Sequence, residues 1–238
     1  MRKMIRADLG RVLRKPAFYI LIIFALVLVC IRKPAETAAD QIETMKTVMG
    51  PILLFFVSIP IFLGVYSDEF KSGSMINIIG RGLSRKKVII AKLIDVAIIL
   101  LAIYSVAYII ALIKNAAAGV NVTTRQNLLL LVYCLFLILR GVVLFAIASF
   151  VVFTTWSAAG GMTILILTIT LAKLSLKLCQ EKTSIPVYDM SFDGLLDSSF
   201  AGFSAGNFGW QIIPALLIYL CGIVFLTSLI FNRKELDL

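Results

Sequence analysis

Histidine is absent from the 238-residue chain. That removes the side chain that most often serves as general acid or base near neutral pH, and the commonest metal ligand. Acids are scarce, with 13 Asp and Glu against 23 Lys and Arg. Charged residues make up 15% of the chain, where a soluble globular domain carries about 25%. The four cysteines (Cys30, Cys134, Cys179, Cys221) stand singly, with no paired ligand spacing, so no metal site is expected. They read as small membrane-helix residues; Cys30 and Cys179 fall near one face, and nothing else supports a disulfide between them. No G-x-x-x-x-G-K-[ST] run occurs, since Gly10-Arg11 and Gly80-Arg81 do not match it, so the chain is not expected to hydrolyse ATP itself. No small-x-small cleavage site follows the first apolar run, which therefore reads as a retained helix.

What the chain has in excess is apolar surface: 61% hydrophobic residues and a mean hydropathy of +1.01. A water-soluble core of this size cannot bury that much, so the bilayer is the expected solvent. The net charge of +10 does not point to nucleic acid, because the bases flank apolar runs as they do in membrane proteins. Six runs are near the ~20 residues that cross the hydrocarbon core. They are Pro16–Ile31, Val48–Tyr66 (with Pro51 and Pro60), Val88–Ile113, Leu128–Phe153, Ala158–Leu178 and Ile212–Phe231. Lipid leaves an open sheet edge unsatisfied, so the fold class is all-α and polytopic. The chain reads as one transmembrane domain, 1–238.

Lys and Arg crowd one set of loops. Arg2, Lys3, Arg6, Arg11, Arg14 and Lys15 precede the first run; Lys71, Arg81, Arg85, Lys86 and Lys87 lie between the second and third; Arg233 and Lys234 follow the last. The alternate loops are poorer, with Arg32, Lys33, Lys46, Lys114, Arg125 and Lys182. The positive-inside rule then places both termini in the cytoplasm. Thr154-Thr155-Trp156-Ser157 is so short that the fourth and fifth runs form an antiparallel hairpin. The longest outer connection, 179–211, mixes Asp189, Asp193 and Asp197 with Phe192, Phe200, Phe203 and Trp210, as a loop lying at or dipping into the interface does.

Three segments carry chemistry. In 1–15, Ile5, Leu9, Val12 and Leu13 share a helical face, and Arg2, Lys3, Arg6, Arg11 and Arg14 lie largely elsewhere. That predicts a helix lying on the membrane surface, cations toward lipid phosphate. In 67–87, Ser72 or Ser74 caps a short helix whose apolar surface is Met75, Ile76, Ile78 and Ile79, ended by Gly80 and Gly82. Ser84 then caps the third run. An amphipathic helix held between two spans and facing the cytosol is suited to a groove on a soluble partner. Inside the spans, Arg140 and Lys173 fall at comparable depth. Two cations facing one cavity repel unless an anionic ligand, lipid or acid joins them; Arg140 is open to buried pairing or to lining a translocation path, and Lys173 to lining that path or to snorkelling to the outer interface. Asp95 is expected to pair with Lys92, one turn away, and Lys177 to snorkel to the interface. Gly160-Gly161 and Ser149 fit close helix approach, within one chain or between two.

Glu69-x-x-x-Gly73, the aliphatic run after it, Ser84-Arg85 and Lys92 resemble the permease subunits of type-2 ABC exporters. The run count, the amphipathic N-terminus, the enlarged loop before the last run and the closing Phe231-Asn232-Arg233-Lys234-Glu235-Leu236 are similar to that family as well. The size is like that of small bacterial permeases for antimicrobial-peptide export and lantibiotic immunity. The resemblance implies a coupling helix on an ATPase subunit, with Glu69, Phe70, Lys71, Gly73, Met75, Ile76, Ile79 and Arg81 at the interface. It also implies two ATPases carrying ATP and Mg, a second permease copy or sister chain, and residence in the bacterial cytoplasmic membrane. The export of a peptide, lipid or drug-like amphiphile follows from the same resemblance. The alternative is a channel, secondary carrier or assembly factor that needs no ATPase. An intramembrane enzyme is disfavoured, with no histidine and Asp95 the only clear intramembrane acid.

Overall fold

The computed structural model describes residues 2–31, 43, 46–71, 84–117, 119, 122–206 and 212–233. Among them every regular element is helical and no strand occurs. The order is α1 (Arg2–Val12), α2 (Pro16–Ile31), α3 (Val48–Ser67, continued by a turn at Asp68–Lys71), α4 (Arg85–Ala117) and α5 (Thr124–Thr155). Then come α6 (Ala158–Thr183), α7 (Val187–Met190), α8 (Phe192–Ala205) and α9 (Ile212–Arg233).

Four helices are long and apolar enough to cross a bilayer, namely α3, α4, α5 and α6. Six were expected from hydropathy. At 16 residues α2 spans about 24 Å, short of the ~30 Å hydrocarbon core, and it meets the length only together with α1, from which it is bent by 71°. In α9 the apolar stretch described is Leu217–Phe231. Several long apolar helices fit a membrane-embedded protein, in which backbone groups must be satisfied within each segment.

Local chemistry sets the helix ends. Thr123 and Gln126 form a reciprocal capping box at the start of α5. Trp156 takes a left-handed conformation after Thr155, and Ser157 accepts from the Gly160 N–H, so the expected hairpin is closed in two residues. Ser84 stands just before α4, its carbonyl accepting from Lys87 and Val88. Cations from other helices cover two helix C-termini, where carbonyls lack partners. Lys114 donates to the carbonyls of Val29 and Cys30 at 2.9 Å each, and Arg85 donates to that of Phe231.

Three stretches depart from α-helical register into π-helix: Val48–Ile52, Leu63–Ser67 and Thr168–Ala172. The first contains Pro51, which brings no N–H to the ladder. There Leu53 N–H turns to Val48 and Gly50, and the Met49 carbonyl accepts from Tyr104 on α4 at 3.1 Å. In the third, Thr168 and Thr170 hydroxyls bond back to the Ile164 and Ile166 carbonyls, competing with the backbone.

The core lies around α3, the most enclosed span, while α6 is the most exposed. At Gly161 α6 lies close against α5: a Cβ there would run into the Val152 side chain and crowd the Ala148 carbonyl. The small-residue contact therefore operates within one chain. Gly160 has only ordinary contacts. Gly161→Ala is expected to destabilise by about 1–3 kcal/mol, and Gly160→Ala to be neutral or stabilising by up to about 1 kcal/mol; thermal unfolding in detergent checks both.

Candidate functional site

Two clusters of polar and aromatic side chains occupy opposite ends of the bundle. The first lies where the chain leaves α3 and where it enters α4. Its core is an ion pair between Asp8 on α1 and Lys92 on α4, 2.7 Å apart and both buried. Arg11 approaches the same carboxylate at 3.4 Å, and Lys15 pairs with Asp68 just beyond α3. The sequence suggested Asp95 as the Lys92 partner; Asp8, 84 residues away, takes that place. The lipid-facing edge expected of α1 is also revised. Val12 is fully buried, close against Gly64, and Met4 and Leu9 pack on the core, while Leu13 is exposed. Arg6 and Arg14 are exposed. Arg2 and Lys3 belong to α1, of whose polar face Arg11 is half-buried.

Beside this pair stands an aromatic plate. Phe70 meets Phe153 and Trp156 at 5.5 and 5.3 Å between centroids, and Phe231 meets the same two rings at 4.8 and 5.8 Å. The Arg85 guanidinium lies 5.0 Å over the Phe231 ring. The plate thus ties the ends of α3, α5 and α9 to the start of α4, and with them both approaches to 72–83. Phe70, assigned by resemblance to a partner interface, packs on this chain's own rings. Glu69 and Lys71 lie in the turn Asp68–Lys71. Gly73, Met75, Ile76, Ile79 and Arg81 fall outside the described residues, as does the helix expected there.

At the other end lies a cavity of about 780 Å³ between α3, α5, α6 and α8. Arg140 and Lys173 both line it. Each is 15 residues along its helix from the α5–α6 turn, about 22 Å at 1.5 Å per residue. The acids that the two cations required come from α8, in the region read from sequence as a loop. Arg140 pairs with Asp193, Nη2 donating to Oδ2 at 3.1 Å and Nε lying 2.8 Å from Oδ1. Lys173 donates to Asp197 at 2.6 Å. Arg140 is thus paired with an acid and also lines the cavity. Lys46 adds a third cation, 3.3 Å from Glu43 and 4.8 Å over the Phe200 ring. Pro51 in the first π stretch and Ile169 and Thr170 in the third form part of the wall.

Sequence reasoning missed Lys46, Tyr133, Asp193, Asp197 and Phe200. A signal existed: Ser191 accepts from Gly194 as an N-cap, and Asp193 and Asp197 stand four apart on the resulting helix. Tyr188 donates its hydroxyl to Asp197. Burial pushes the Asp197 carboxyl up, but hydrogen bonds from Lys173 and Tyr188 and the charges of Lys173 and Arg140 outweigh it, holding it below the ordinary carboxylate range. Burial first, then the bond to Asp197 and the nearby acids, push the Tyr188 phenol far up. The four cysteines are free, and no group of acids or cysteines among the described residues could hold a metal ion.

Two outcomes follow. Asp8→Asn is expected to lower stability by about 3 kcal/mol, because it strips charge from beside the buried Lys92. Adding Lys92→Met recovers part of that loss; thermal unfolding of single and double variants in detergent reads it. The second concerns pH. A carboxyl held low in the folded state stabilises fully above its unfolded value, about 4, and stops doing so as pH falls through the folded value. Wild-type melting temperature should therefore drop on acidification below about pH 4, and Asp197→Asn should show a shallower drop in the same scan.

Compared with known proteins, the chain matches no family model, no curated protein and no solved structure.

Proposed function

We propose that the chain is the membrane-spanning subunit of an ATP-binding-cassette exporter, with six spans and both termini in the cytoplasm. ATP and Mg are bound and hydrolysed on two separate ATPase subunits, and a second permease copy or sister chain completes the path. The observation that supports this most is the aromatic plate of Phe70, Phe153, Trp156 and Phe231. It fixes both approaches to 72–83 on the end of the bundle where the basic residues gather. A segment pressed by a motor needs such a seat, or the push would be lost in local bending. The Asp8–Lys92 pair holds α1 to the same seat. The cavity at the far end supplies a place for an amphiphile, and the membrane is that of a bacterial cell.

The test is capture of the ATPase encoded beside this chain, co-expressed with it and purified through a tag on the permease. Wild type is expected to retain the ATPase and to change its hydrolysis rate. Glu69→Ala, Gly73→Pro and Ile76→Asp are expected to lose it while eluting from size exclusion as wild type does. No capture by wild type, or equal capture by all three variants, overturns the reading in favour of a carrier or assembly factor.

A further inference from the structure

We infer that the cavity between α3, α5, α6 and α8 binds a single-chain amphiphile bearing one anionic headgroup. Its volume of about 780 Å³ lies within the roughly 300–1,000 Å³ of small-ligand pockets. The charge pattern selects the headgroup. Four cations line it: Lys46, Arg140, Lys173 and Lys177. Three have acids beside them, at Glu43, Asp193 and Asp197. Lys177 has no carboxylate within ion-pair distance among the described residues; its ammonium rests 5.0 Å over the Tyr188 ring. Lys173, one helical turn before it, is held by a pair that is itself partly exposed, 38% and 53%. A carboxylate or phosphate monoanion reaching both ammoniums balances the site. A polycationic ligand meets an unneutralised lysine instead.

The remaining wall selects the tail. Pro51, Leu54 and Leu137 form an apolar floor, and Leu174 continues it. Two π stretches border this floor, and such stretches widen a helix locally and recur at binding sites. The inference rests on the exporter reading only for what happens to the ligand afterwards; binding stands on the cavity alone.

The test uses the full chain, purified alone in dodecyl maltoside, with native mass spectrometry as readout. The probes are lysophosphatidylglycerol, singly anionic, and lysophosphatidylcholine, zwitterionic with the same chain. One copy of the anionic lipid is expected to be retained in preference to the other. Lys177→Gln should weaken retention about fivefold, the worth of one exposed charge pair. Ala201→Trp, which keeps every charge and fills the cavity from α8, should abolish it. Lys182→Gln, on the same helix but outside the cavity, should leave it unchanged. Equal retention of the two lipids overturns the proposal, as does unaltered retention in Ala201→Trp or an equal loss in Lys182→Gln. The two informative variants act by different routes, so misfolding of one leaves the other to decide. No nucleotide or ATPase is present, so failure here overturns the cavity's role and leaves the motor-docking reading in place. Retained lipid with no ATPase captured does the reverse.

Discussion

A charge placed inside a span has to be met by an opposite charge, because hydrocarbon neither hydrates it nor screens it. That constraint organises both ends of this bundle. Lys92 is buried on α4, and Asp8 reaches it from α1. Arg140 stands midway along α5, and Asp193 reaches it from α8. In each case the cation sits on one of the four long apolar helices and the acid on a shorter one. The pairs therefore join shorter helices to the long ones, beside the apolar contacts of Val12 and Leu196. Hydrophobic burial alone would hold them loosely, since lipid solvates apolar side chains as well as protein does.

The same scarcity of water explains the departures from regular helix. Where Pro51 brings no N–H to the ladder, the Met49 carbonyl is met by Tyr104, and the neighbouring Lys46 carbonyl by Tyr133. Two tyrosines from two different spans thus hold the start of α3 open in π register. The opening is at the cavity wall. Its cost is offset by hydrogen bonds that a regular helix would not need.

Much of this architecture is legible in the sequence. The apolar runs fix four spans to within a few residues, and the Thr154–Ser157 link fixes the hairpin. The runs Pro16–Ile31 and Ile212–Phe231 are also helical, as α2 and α9, although α2 alone is too short to cross the hydrocarbon core. Partners distant in sequence are invisible. Asp95 is a good local guess for Lys92, yet the buried site admits Asp8 from another helix, which no periodicity announces. The acids of α8 were visible as residues but not as a face. Their segment carries enough serine and glycine to read as loop, and only the Ser191 cap turns it into a helix with Asp193 and Asp197 aligned.

α5 joins the two ends. It runs 32 residues without a break, from the capping box at Thr123 to the rings at Phe153 and Trp156. Arg140 lies on the way. α6, its hairpin partner, is fixed to it at Gly161 but relaxes into π register at Thr168–Ala172, just before Lys173. The two helices carry the two cations of the cavity side by side, in the pairs Arg140–Asp193 and Lys173–Asp197. The first is shielded, the second partly exposed. Solvent reaches the Lys173 pair and weakens it, so Lys173 is the cavity cation held less firmly by its own acid.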